Sequence, residues 1–223
     1  MLKTPTIVLN VKTYAEAIGV KALEIAQLMD KISQESGASM AIAVQATDIS
    51  ICAGKVKIPV FAEHIDPISP GSHTGWTLPE SVKEAGAIGT LINHSEHRLK
   101  LADIDLCIKR VKELDLDHII CTNNISTSKA AAAFSPNFIA LEPPELIGGD
   151  TSVTTADPDI VSGSVAAVKD ININVKVLCG AGVKNGKDVA KSVELGAEGV
   201  LLASGIVKAK DKESVIRDLA SGL

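Results

Sequence analysis

A chain of 223 residues, 46% of them hydrophobic, can bury one core of moderate size, so a single domain is expected. Acidic residues outnumber basic ones by 27 to 22, and the aromatics amount to one Trp, one Tyr and three Phe. With both charge signs interspersed, this excludes the basic footprint and the stacking platform of a nucleic-acid binder. No apolar run approaches the roughly 20 residues that span a bilayer, and the first residues lead into a strand rather than a signal peptide. No membrane partner and a cytoplasmic location are therefore expected. Cys52, Cys107, Cys121 and Cys179 form no close pair, and Cys121 and Cys179 lie in apolar runs, which points to buried thiols rather than disulfides.

In chain order, the first β-rich apolar run is TIVLNV (6–11), followed by helical periodicity over residues 15–36. The runs SMAIAV (39–44), PVFAEH (59–64) and AIGTLIN (87–93) come next, then a helical stretch at 104–115 and the run DHIICT (117–122). FIALE (138–142) is the sixth run. Asp157 followed by Pro158 reads as an N-cap and first-turn pair opening a further helix. VKVLCG (175–180), a helix over 186–196 stopped by a glycine, and GVLLAS (199–204) complete the series. Eight strands alternating with helices predict an α/β fold, a (β/α)8 TIM barrel forming one catalytic domain over residues 1–223. An open doubly wound sheet is the alternative, but its dinucleotide-binding form lacks a G-x-G-x-x-G after the first strand. In a barrel, active groups belong where strands end and the following loops begin.

The strand ends are where the polar residues concentrate. Alternation sends Asn10 and Lys12 to one side of the first strand while Val11 points to the other. The fourth strand breaks abruptly from apolar residues into Asn93-His94-Ser95-Glu96-His97-Arg98. Ser95 reads as a helix N-cap with Glu96 in the first turn, which would set His94 against the positive end of a helix and favour neutral imidazole. Glu142 closes the sixth strand, where an unpaired carboxylate needs a reason such as catalysis. Two prolines follow it, then Gly148-Gly149, a composition suited to a lid. The small residues of Cys179-Gly180-Ala181-Gly182 and Ala203-Ser204-Gly205 end strands seven and eight, where barrel enzymes often hold a phosphate. His64 and His118 read as strand-associated structural residues, and His73 and His97 as surface groups.

Assembled, these residues make the chain resemble the triosephosphate isomerase family along its whole length. The family's N-x-K appears as NVK (10–12), its G-H-S-E-R-R as NHSEHR (93–98) and its E-P-x-W-A-I-G as EPPELIG (142–148). The short length, the altered lid segment, Asn93 in place of glycine, and CGAG in place of Y-G-G-S resemble the shorter archaeal-type branch. The resemblance implies Glu142 as the catalytic base, His94 as the electrophile, Lys12 as the cationic stabiliser, Asn10 as a substrate contact and Glu96 as the lysine's partner. It implies phosphate contacts from Ile147, Gly148, Gly182, Ala203 and Ser204. GSHTG (71–75) resembles the loop that reaches a neighbouring subunit, implying a homodimer or homotetramer. No metal or organic cofactor is implied, and no H-x-x-x-H or C-x-x-C is present. The alternatives are another phosphate-binding barrel isomerase or a metal-dependent epimerase, and a sugar-phosphate-binding barrel without catalysis.

Overall fold

Along the first strand Val8 points one way and its neighbours Ile7 and Leu9 the other, and all three are buried. A strand buried on both sides belongs in a parallel sheet covered by helices. The structure, a computed structural model, describes residues 2–143 and 157–223. Its elements in order are β1 (Thr6–Asn10), α1 (Val20–Ser36), β2 (Ser39–Val44), α2 (Ile49–Ala53), β3 (Val60–Ala62) and α3 (Pro79–Glu84), then β4 (Gly89–Ile92), α4 (Leu101–Glu113), β5 (Asp117–Thr122) and α5 (Ile125–Ala132). They continue with β6 (Phe138–Leu141), α6 (Pro158–Ile171), β7 (Lys176–Cys179), α7 (Gly186–Glu194), β8 (Gly199–Leu202), α8 (Ser204–Val207) and α9 (Lys212–Ala220).

The strands pair in parallel and in sequence order, and β8 returns to β1, so the sheet is a closed barrel. Closure brings the β1 and β8 backbones into register at Thr6 and Gly199. A Cβ at Gly199 would lie 2.1 Å from the Thr6 carbonyl oxygen, so only glycine admits this approach, and its φ of +135° is one glycine tolerates. Two cores result. Val8, Phe61, Leu91, Ile119, Phe138 and Leu178 fill the barrel interior, while Ile7, Leu9, Met40, Ile42 and Val177 pack outward against the helices. Two of the chain's three phenylalanines thus plug the barrel, which is a packed core and not a pore.

The helix expected over 15–36 is divided. Residues Ala15–Ala17 form a single 3-10 turn, and Gly19, at φ +59°, breaks the path before α1 begins. Asp157 caps α6 as expected, accepting from the Ile160 N–H, with Pro158 in the first turn.

Candidate active site

The inward parity of the strands delivers the site. Asn10 continues the Val8 side of β1, Glu142 the Phe138 and Ala140 side of β6, and Gly180 the Leu178 side of β7. Asn10 and Glu142 are both buried, and they share a cavity of about 720 Å³ at the C-terminal mouth of the barrel with Lys12 and Glu96. Gly182, Ala203 and Ser204 line its other end. Ile147 and Gly148 lie outside the described residues.

Lys12 reaches the mouth by a different route from the one alternation suggested. β1 ends at Asn10, and Lys12 turns left-handed at φ +52°, a conformation uncommon for a residue with a Cβ. Its backbone N–H donates to Asn10 Oδ1 at 3.0 Å, and its Nζ meets Glu96 Oε1 at 2.9 Å. The turn therefore aims the ammonium into the cavity.

Ser95 does not cap a helix. Residues 94–97 form a tight turn closed by the His97 N–H to the His94 carbonyl at 2.9 Å, and α4 starts only at Leu101. The physical reason lies at Asn93, which adopts φ +63° and uses its side chain at both ends, donating to the Cys121 carbonyl at 2.9 Å and accepting from the Leu99 N–H at 2.9 Å. Asn tolerates this backbone region better than most residues. No helix end therefore sets the state of His94. A single backbone N–H does, since the Glu96 N–H donates to His94 Nδ1 at 3.2 Å. With Nδ1 an acceptor, the neutral ring carries its proton on Nε2, which lies 3.2 Å from Glu142 Oε1.

Glu142 Oε2 is buried with no hydrogen-bond partner among the described residues. Burial holds the thiol of Cys121 well above its usual range, and the neighbouring Glu142 pushes it the same way, so a neutral sulfhydryl faces the carboxylate. Gly180 completes the wall: a Cβ there would sit 2.6 Å from Glu142 Cγ.

Several contributors escape sequence reasoning. Tyr14, Lys184 and Lys208 line the cavity, with Lys208 Nζ 4.4 Å from the centre of the Tyr14 ring, and nothing in the local sequence marks them. Glu63 follows β3, and its carboxyl is pushed up to about 7, chiefly by burial. His64 lies beyond β3, bonded to Asp66 at 3.2 Å and stacked on His97 with ring centres 4.1 Å apart, while His118 is buried in β5 with Nδ1 2.9 Å from the Leu116 carbonyl.

Among known proteins, the family model described as triosephosphate isomerase matches residues 5–219. A triosephosphate isomerase of Methanocaldococcus jannaschii is 57% identical over 213 residues, covering 96% of this chain and 97% of that one. One from Methanobrevibacter smithii is 53% identical over 222 residues, covering all of both. The crystal structure of triosephosphate isomerase from Bartonella henselae superposes with a TM-score of 0.74 over 95% of this chain and 97% of its own, at 18% identity, a likeness of fold.

Proposed function

The chain belongs to the triosephosphate isomerase family, and from that premise we propose how its mouth residues share the interconversion of D-glyceraldehyde 3-phosphate and dihydroxyacetone phosphate. Glu142 removes the proton from the carbon beside the carbonyl, giving an enediolate, and returns it to the neighbouring carbon. His94 donates its Nε2–H to the oxygens on which charge develops, and Lys12 adds a fixed positive charge beside them. This division follows the pattern established for the family. Asn10, which already orients Lys12, contacts the substrate. Gly182, Ala203 and Ser204, with Ile147 and Gly148, hold the phosphate through backbone groups. The backbone N–H groups of Gly182, Ser204 and Gly205 have no acceptor among the described residues, which supports that reading.

The observation that carries the proposal is the contact between His94 Nε2 and Glu142 Oε1 at 3.2 Å, with the tautomer fixed from behind by Glu96. Base and electrophile rest against each other, and a substrate's carbonyl region takes the place of that contact. Among the described residues, no group of three or more His, Cys, Asp or Glu is gathered as a metal site requires, and it is the family match that favours this reading over a metal-dependent epimerase. The test is a coupled triose phosphate assay with and without chelator. Turnover is expected in both, and Glu142→Gln is expected to lower it by roughly 100-fold or more, the scale of a general base. Near-normal turnover in that variant rejects the assignment, and ligand binding without any turnover by the parent chain supports a non-catalytic barrel instead.

Self-association as a homodimer or homotetramer, in the cytoplasm, belongs to the same proposal. Trp76, beside GSHTG, is 54% exposed, an apolar surface of the kind a second copy covers. A sedimentation mass equal to one chain rejects self-association. No described helix is long and apolar enough to cross a membrane.

A further inference from the structure

Among the described residues three lysines, Lys12, Lys184 and Lys208, line the mouth. Lys12 is paired with Glu96 at 2.9 Å, so much of its charge is answered within the cavity. Lys208 makes no ion pair with a carboxylate among the described residues, and its Nζ lies instead 4.4 Å from the centre of the Tyr14 ring. The face of such a ring attracts an ammonium through its quadrupole and leaves the net positive charge in place. An exposed lysine otherwise spreads its charge over many rotamers. Lys208 is exposed, whereas Tyr14 is half-buried and packs against the core, so a fixed ring gathers a side chain that would wander.

The contact joins the two ends of the site. Tyr14 comes two residues after Lys12 on the loop leaving β1, and its carbonyl accepts from the Ala17 N–H at 2.9 Å. Lys208 follows α8, and its N–H donates to the Ser204 carbonyl at 3.0 Å. β1 and β8 are neighbours where the barrel closes, so each side of the seam contributes one partner at the cavity wall. We propose that Lys208 is a specificity-determining residue for the substrate's phosphate, and that Tyr14 is a positioning residue that holds its ammonium beside the turn carrying Ser204. The proposal rests on the site reading given above. Backbone N–H groups fix where the phosphate sits but carry only partial charges, and a full charge nearby sets the preference for a dianion over an uncharged end.

The experiment measures inhibition by inorganic phosphate, and steady-state kinetics with glyceraldehyde 3-phosphate and with glyceraldehyde, which lacks the phosphate. Lys208→Met is expected to raise both the inhibition constant of phosphate and the KM for glyceraldehyde 3-phosphate roughly three- to tenfold, with kcat changing less. Its preference for the phosphorylated substrate should fall by a similar factor. Lys208→Arg, which keeps the charge and stacks on a ring, is expected to restore the parental values. Tyr14→Leu should move the same constants by a smaller factor, and Tyr14→Phe, which keeps the ring face, should not move them. High salt should narrow the gap between the parent and Lys208→Met. Should Tyr14→Leu fail to fold, the exposed lysine's variants and Tyr14→Phe decide. Phosphate that competes with substrate in the parent and inhibits Lys208→Met equally well overturns the role of Lys208 alone. Phosphate that does not compete in the parent overturns the site reading and this inference with it.

Discussion

Glu142 is held by what surrounds it more than by what bonds to it. One oxygen rests on His94, the other has no partner among the described residues, and the Cγ lies so close to Gly180 that no methyl group fits between them. The atoms a Cβ at residue 180 would meet are Glu142 Cγ at 2.6 Å and the Leu141 carbonyl oxygen at 2.9 Å. The second is backbone and cannot yield cheaply, so relief must come from the glutamate. Gly180→Ala is therefore expected to lower kcat at least about tenfold, because a misplacement near 1 Å at a reacting group can cost up to roughly 100-fold. KM should change less, since the phosphate end lies further along the same wall. Steady-state kinetics check this, and a variant with parental kcat would show that Glu142 is not confined by residue 180.

At the scale of elements, the strands were legible and the turns between them were not. Eight apolar runs rich in branched residues mark β1 to β8 to within about two residues, because a strand buried on both faces has little choice of composition. Residues 93–98 illustrate the opposite. Ser95 followed by Glu96 carries a helix-start signal, yet the chain turns instead, because Asn93 in its left-handed conformation ties the turn to β5 and to Leu99. Arg98 adds a third tie, donating to the Asn93 carbonyl at 2.8 Å. The tie to Cys121 is distant in sequence, and the nearer ties to Leu99 and Arg98 depend on the left-handed angle of Asn93, which a reading by propensity cannot find. Lys12 is read from the sequence into the mouth where the structure places it, but the left-handed angle by which it gets there is not legible from strand alternation. The turn yields an ordered prediction. Asn93→Gly keeps the backbone angle and loses the side-chain ties, whereas Asn93→Ala loses both. Melting temperatures should therefore fall in the order parent, Gly, Ala, with the Ala variant about 1–3 kcal/mol down, and kcat should follow as His94 loosens. An Ala variant as stable as the Gly variant would remove the backbone strain from this account.

For the whole molecule, the barrel itself follows from pattern, while its response to pH depends on a few buried groups that no pattern reveals. Burial lowers His64 and His118 below the ordinary histidine value, so the stability tied to their neutral forms is present above about pH 6.5 and lost as pH falls through their folded values. Glu63 has the opposite sign. Its carboxyl rises from 4.5 to about 7 on folding, so the stability tied to its neutral form is fully present below pH 4.5 and lost as pH rises through about 7. The shift sets a ceiling of about 3 kcal/mol on that loss, and partial solvent access brings the real figure below it. Glu63→Gln removes the Glu63 contribution and leaves the histidines untouched. The difference in melting temperature between Glu63→Gln and the parent should therefore be small near pH 5 and grow by several degrees towards pH 8, with the variant the more stable. Thermal melts of both proteins across that range decide it. A difference that shrinks with rising pH would mean that Glu63 is folded in its charged form, and that Lys12 and its backbone outweigh burial at the barrel mouth.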